Sequence, residues 1–161
     1  MGKSVYFWPS KPKETMFSGS ITGKMDAKGR VFLPALFRRQ LGASETQFVL
    51  RRDVHQPCLV IFPLKAWTKE VELLREKLNR WDARQAMVFR QFLGDSEQLQ
   101  LDGAGRLLLS KHWLTAARLE REVLFVGLDD RIEIWPTCSA NFLQPKEYAA
   151  TVQEILGSHT D

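Results

Sequence analysis

Asp26-Ala27-Lys28-Gly29-Arg30 and Asp102-Gly103-Ala104-Gly105-Arg106 repeat one pattern, Asp-x-x-Gly-Arg, 76 positions apart. An aspartate at the head of a turn can accept backbone N–H groups ahead of it, and a glycine near its end takes positive φ without strain. Three apolar residues follow each arginine, Val31-Phe32-Leu33 and Leu107-Leu108-Leu109. An apolar run straight after a turn predicts a strand. Each segment therefore predicts a tight hairpin that holds an arginine, and in the first copy also a lysine, at its tip or shoulder. Asp26, Gly29, Asp102 and Gly105 are the structural turn residues. An arginine fork matches the two acceptors of a guanine edge, a lysine suits a phosphate, and a strand pair fits the major groove. Arg30 is thus the leading base reader and Lys28 the leading phosphate contact. Lys24, Arg38 and Arg39 support them, and Arg106 is the second copy's arginine.

The charge distribution agrees. Net charge over the chain is +4. Ile21 to Arg52 carries seven basic residues against Asp26 and Glu45, whereas Glu97 to Leu128 balances four against four. One scaffold that is basic in one copy and neutral in the other speaks to partners and not to fold. The first copy is expected to carry the DNA face, and Arg106 to matter less.

No catalytic set is visible. His55, His112 and His159 are scattered, and no Gly-x-Ser-x-Gly elbow, phosphate loop or Gly-x-Gly-x-x-Gly occurs. His55 and Cys58 make half a metal site, with no partner pair. Cys58 and Cys138 form no disulfide framework and predict reduced cysteines in a cytoplasmic protein. The reading is a non-enzyme without metal or cofactor.

The elements that must position the arginines also repeat. Phe37 matches Trp113, and Phe48-Val49-Leu50 matches Leu124-Phe125-Val126, both 76 apart; Cys58 to Pro63 matches Arg131 to Pro136 at 73. The three missing residues are assigned to the connecting loop. Each half reads turn, strand, short helix, strand, loop, strand, proline, helix. This predicts a duplicated half-domain packed as a pseudo-dimer, in five segments: a flexible N-terminal arm over 1–16, a first repeat over 17–63, connecting helices over 64–93, a second repeat over 94–136 and a C-terminal helix and tail over 137–161.

In the first repeat, Pro34 opens a short helix from Ala35 to Leu41 that leaves Arg38 and Arg39 outside. Leu64, Trp67, Val71, Leu74 and Leu78 stripe one helix, and Trp81 to Leu93 makes a second. Helices this apolar predict packing on the β core or on another subunit, hence a homo-oligomer larger than a dimer. In the second repeat, Lys111 to Arg118 is a helix, Val123 to Val126 a strand, and Gly127 to Arg131 a turn. Ala140 to Leu156 is a helix interrupted near Pro145. The 44% apolar content suffices for a core, and no run is long enough for a membrane helix.

With the repeat laid out, the chain resembles the MraZ family of bacterial transcriptional regulators over Phe17 to Phe142. The carrying residues are Asp26 to Pro34, Pro57 to Leu64 with Trp67, Asp102 to Arg106, and Val126-Gly127 leading to Glu133-Ile134-Trp135. The resemblance implies a mixed α+β, β-rich fold, a tandem-repeat swapped-hairpin barrel of the AbrB/SpoVT type with connecting and C-terminal helices. It implies a ring-like homo-oligomer, octamer or dodecamer, cytoplasmic and nucleoid-associated. It further implies binding of double-stranded DNA at repeats upstream of the division and cell-wall gene cluster, as a repressor. The family's Asp-x-x-x-Arg signature falls on Asp26 and Arg30 and on Asp102 and Arg106. Ala104 stands where the first copy has Lys28, and Ser110 where it has Pro34. The alternative is a non-enzymatic interaction module on the same barrel.

Overall fold

In the computed structural model, which describes residues 16–42, 45–137 and 140–157, eight strands and five helices form a mixed α+β fold. The first repeat contributes β1 (Ser20–Lys24), β2 (Arg30–Phe32), α1 (Ala35–Gln40), β3 (Gln47–Arg52) and β4 (Leu59–Pro63). Next come α2 (Leu64–Lys77) and α3 (Ala83–Gly94). The second repeat contributes β5 (Ser96–Gln100), β6 (Arg106–Leu108), α4 (Lys111–Ala116), β7 (Glu122–Leu128) and β8 (Arg131–Pro136), followed by α5 (Pro145–Gly157). The flexible arm read over 1–16 lies almost wholly outside the described residues, as do Cys138 and His159.

The repeats exchange strands. A six-stranded antiparallel sheet runs β1-β7-β8-β4-β3-β5, and β2 pairs with β6 in a separate two-stranded sheet. The first strand of each half thus lies beside the third strand of the other, with Ile21 opposite Phe125 and Glu97 opposite Leu50. The join between halves is symmetric about Val60 and Glu133, since Leu59 faces Ile134 and Ile61 faces Ile132. In β2 and β6 the same symmetry centres on Val31 and Leu107.

This topology makes one core from both repeats. Val31, Leu33, Phe37, Phe48, Leu50, Leu59 and Ile61 are buried together with Leu107, Leu109, Trp113, Val123, Phe125, Ile132 and Ile134. The inward residues also correct the register read from sequence. Phe48 faces Pro63 and Val123 faces Pro136, so Val123 and Phe125 are the equivalents of Phe48 and Leu50. A strand alternates with period two, so a one-residue slip would exchange core and outer faces. Of the three missing residues, one precedes β7 and two fall in the β7–β8 turn. Consequently β7 runs through Gly127 to Leu128, and only Asp129 and Asp130 turn.

On the outer face of the large sheet a second cluster forms under α2, from Cys58, Val60, Phe62, Ala66, Val126 and Trp135. Trp67 lies against Phe62 and stacks on Phe92 of α3, with ring centroids 5.4 and 5.3 Å apart. α1 and α4 end one and two residues earlier than the sequence reading, at Gln40 and Ala116, and two helix starts differ from it. Asp82 caps α3, accepting from the N–H groups of Arg84 and Gln85, so Trp81 stays outside the helix and 85% exposed. Pro145 starts α5 instead of interrupting it, because a proline ring is accepted in a first turn and clashes further in.

Candidate nucleic-acid interface

Both Asp-x-x-Gly-Arg segments fold into the same turn. Asp26 Oδ1 accepts from the N–H groups of Lys28 and Arg30, and Oδ2 accepts from Arg30 Nε at 2.7 Å. Asp102 repeats this with the N–H groups of Ala104 and Arg106 and with Arg106 Nε at 2.9 Å. These bonds to the charged form hold both carboxyls below the usual carboxylate range, the arginine's backbone N–H being the largest cause. Each turn closes on a glycine with φ near +90°, Gly29 at 89° and Gly105 at 87°.

Each turn is closed locally as a tight hairpin, Asp26 N–H donating to Arg30 O with Met25 bridged antiparallel to Val31, and Asp102 N–H donating to Arg106 O. After each turn the chain crosses to the other half: Leu109 N–H donates to Gly29 O, and Leu33 N–H donates to Gly105 O. The approach is close enough that a Cβ on Gly29 would lie 2.4 Å from the Leu109 carbonyl oxygen. Glycine is therefore required twice there, for its φ and for its missing side chain.

The result is a two-stranded ribbon. Val31 and Leu107 point into the core, so Arg30, Phe32, Arg106 and Leu108 must face outward. Arg30 lies opposite Leu108 and Arg106 opposite Phe32. Phe32 and Leu108 are each 55% exposed, and the Arg106 guanidinium sits 5.9 Å from the Phe32 ring centre. Two residues of strand separate the rungs, about 7 Å along the ribbon. Each aspartate takes only the Nε donor, so the two terminal nitrogens of each arginine are left without a partner among the described residues.

The remaining basic residues fall in different places. Lys28 is exposed at the first turn. Arg39 is exposed on α1. Arg38, also on α1, reaches across to the second turn. Its Nε donates to Leu33 O at 2.9 Å, and its Nη1 lies 2.9 Å from where a Cβ on Gly105 would be. The equivalent residue of α4, Leu114, packs on Gly29 in the same way. Arg38 therefore belongs spatially to the second turn, the one with Ala104 in place of a lysine. Lys24 is separate from the ribbon: Gly23 faces Phe125 and Val31, so Lys24 points to the opposite face of β1. The strand exchange thus distributes the first repeat's cations over both turns, a placement that linear charge windows could not reveal. The signal for Arg38 was its offset match to Leu114, an arginine where the other copy has an apolar residue.

Among the described residues no group of titratable side chains forms a second chemical centre. His55 is exposed, and Cys58 is 1% exposed with its thiol pushed far up by burial, so it is neutral. Both border a hollow of about 840 Å³ between the 52–58 loop and the end of α4. Among the described residues no three His, Cys, Asp or Glu side chains are grouped to hold a metal, and no helix is long and apolar enough to cross a membrane.

Comparison with known proteins gives one consistent match. Residues 16–90 and 92–152 fit the family model described as "MraZ protein, putative antitoxin-like". The protein called transcriptional regulator MraZ in Phocaeicola vulgatus is 46% identical over 148 residues, which is 90% of this chain and 96% of that protein. The protein of that name in Bacteroides fragilis is 45% identical over 143 residues, 87% of this chain and 90% of its own length. The one in Pectobacterium carotovorum is 37% identical over 124 residues, 74% and 79% of the two chains.

Proposed function

The chain belongs to the MraZ family, and on that premise we propose that it is a transcriptional regulator that binds double-stranded DNA sequence-specifically through the β2–β6 ribbon. The observation that carries the reading is the outward pair Arg30 and Arg106. Each is held by its aspartate at Nε, and its terminal nitrogens have no hydrogen-bond partner among the described residues. A two-stranded ribbon fits the major groove, and a restrained arginine fork suits guanine. Their separation of about 7 Å matches roughly two base-pair steps. Lys28 at one turn and Arg38 at the other would take phosphates on either side, with Arg39 nearby. Lys24 is at most a contact to DNA that wraps beyond the ribbon. In this reading the two repeats, 17–63 and 94–136, are halves of one swapped-hairpin barrel of the AbrB/SpoVT type, joined by the helices of 64–93. The pairing of β1 with β7 and of β5 with β3 supports it.

The same reading makes the protein a repressor, not an enzyme. It would be cytoplasmic and nucleoid-associated, acting as a ring-like homo-oligomer on repeats upstream of the division and cell-wall gene cluster. Assembly is supported by α3 and α5, neither of which has a buried residue although both carry apolar side chains. Repeated sites would then engage several ribbons at once, multiplying modest contacts into tight binding.

A gel-shift titration on the DNA upstream of the protein's own gene, at two salt concentrations, tests the proposal. Retarded complexes that weaken steeply with salt and outlast a scrambled competitor are the expected result. Assembly without any DNA binding would leave the interaction-module reading in its place.

A further inference from the structure

Arg51, in β3, is 8% exposed and points to the outer face of the large sheet, where its guanidinium lies 4.0 Å from the centre of the Phe92 ring. Its Nε is fully buried without a partner, and the guanidinium makes no hydrogen bond or ion pair with any described residue. Burial works against its charge, and the neighbouring Asp95 and Asp53 offset this only in part. The same sheet face shows what a satisfied site of this kind looks like. Arg131 lies 4.7 Å over the Phe62 ring and donates to both carboxylate oxygens of Glu70 at 3.0 and 3.1 Å. A planar guanidinium stacked on a ring is completed by a two-oxygen anion. Arg51 has the ring, and among the described residues it has no bonded anion, Asp53 and Asp95 acting on it only from a distance.

Beside Arg51 lies a hollow of about 290 Å³ between the end of β3 and α3. Val54 and Val88, 65% and 50% exposed, line it together with Arg52, Asp53, Gln91 and Asp95. The two exposed valines suit a carboxylate that arrives on a side chain with apolar neighbours better than a free, hydrated ion. α5 offers such a group. Glu147 and Glu154 lie two turns apart, beside the stripe Tyr148, Val152 and Ile155, with Leu156 adjoining. Tyr148, Ile155 and Leu156 are all more than half exposed. Charge is complementary: α3 carries Arg84 and Arg90 and no acid, whereas α5 carries two glutamates against Lys146. No residue of α5 is fully buried, Thr151 and Val152 being half-buried, and Asn141 in the segment before it donates to Gln56.

We propose that α5 of a second copy docks across α3, covering Met87 and Val88 and placing a glutamate carboxylate on Arg51. This rests on the self-assembly part of the functional reading and names its surface. Arg51 then acts as a selective socket, admitting an acidic helix and rejecting a neutral apolar one.

Sedimentation equilibrium of the full chain over a range of concentrations tests it, with Arg51→Met, Glu147→Gln, Glu154→Gln and a chain ending at residue 144. Arg51→Met removes an unpaired buried charge and should fold at least as stably as the parent. It should nevertheless weaken association tenfold or more. One of the two glutamate variants should do the same, and combining it with Arg51→Met should weaken association no further. Truncation at 144 should abolish it. Unchanged association in Arg51→Met and in both glutamate variants would overturn the proposal. So would stabilisation by inorganic phosphate of the parent but not of Arg51→Met, which would mark a free-anion site. A monomeric parent would instead refute self-assembly itself.

Discussion

Arg38→Leu separates the spatial arrangement of the cations from their order in the chain. The second half already holds a leucine at the equivalent position, Leu114, packed on Gly29 as Arg38 packs on Gly105. The substitution therefore keeps the apolar cover of the turn. What it removes is the bond from Nε to Leu33 O and one positive charge. Loss of a bond on this partly exposed side chain costs about 1 kcal/mol of stability. On DNA, one phosphate contact contributes about 0.9 to the salt slope, so a fourfold rise in salt weakens binding about 3.5-fold for each such contact. The variant should lose that factor per engaged protomer and keep its preference among sequences. Adding Ala104→Lys, which puts in the second turn the lysine that the first has at position 28, should restore the slope. Fluorescence anisotropy at four or five salt concentrations, with thermal melting alongside, measures both quantities. A folded Arg38→Leu protein with the parent's slope would refute the placement of Arg38 at the DNA surface. Loss of binding that Ala104→Lys does not repair would refute its service to the second turn.

Arg30→Ala and Arg106→Ala should each cost roughly 1–3 kcal/mol of binding per engaged protomer and relax sequence choice, to similar extents, because both arginines face outward from one ribbon; selection from a random DNA pool checks this, and normal binding by Arg106→Ala would count against the shared ribbon. Asp26 and Asp102 have carboxyls lowered in the folded state, so their contribution is present above the unfolded carboxylate value, near 3.9, and is lost as pH falls through the folded value. Melts of the parent and of Asp26→Asn with Asp102→Asn should thus differ at neutral pH and converge in acid. Gly29→Ala places a Cβ against the Leu109 carbonyl at φ 89° and should destabilise by more than about 1 kcal/mol, visible as a lowered denaturation midpoint.

Local chemistry was legible in the sequence. The doubled Asp-x-x-Gly-Arg predicted two aspartate-headed turns with an arginine at the shoulder, because side-chain-to-backbone bonds over four residues need nothing from the rest of the chain. The offset pairs Val31 with Leu107 and Phe37 with Trp113 likewise marked positions that proved buried in both halves. What the sequence could not decide was which half each strand joins. Every strand pairs by the same backbone hydrogen bonds, so β1 has no local reason to lie beside β7. Burial of one shared core settles that, since Phe125 and Val31 meet over Gly23 only when the halves exchange. The same exchange carries Arg38 to the far turn, puts Arg30 and Arg106 on one surface and exposes the one-residue slip at β7. Charge windows along the chain add up neighbours in sequence, whereas a DNA backbone meets neighbours in space, and in this protein only the tertiary structure makes those two sets different.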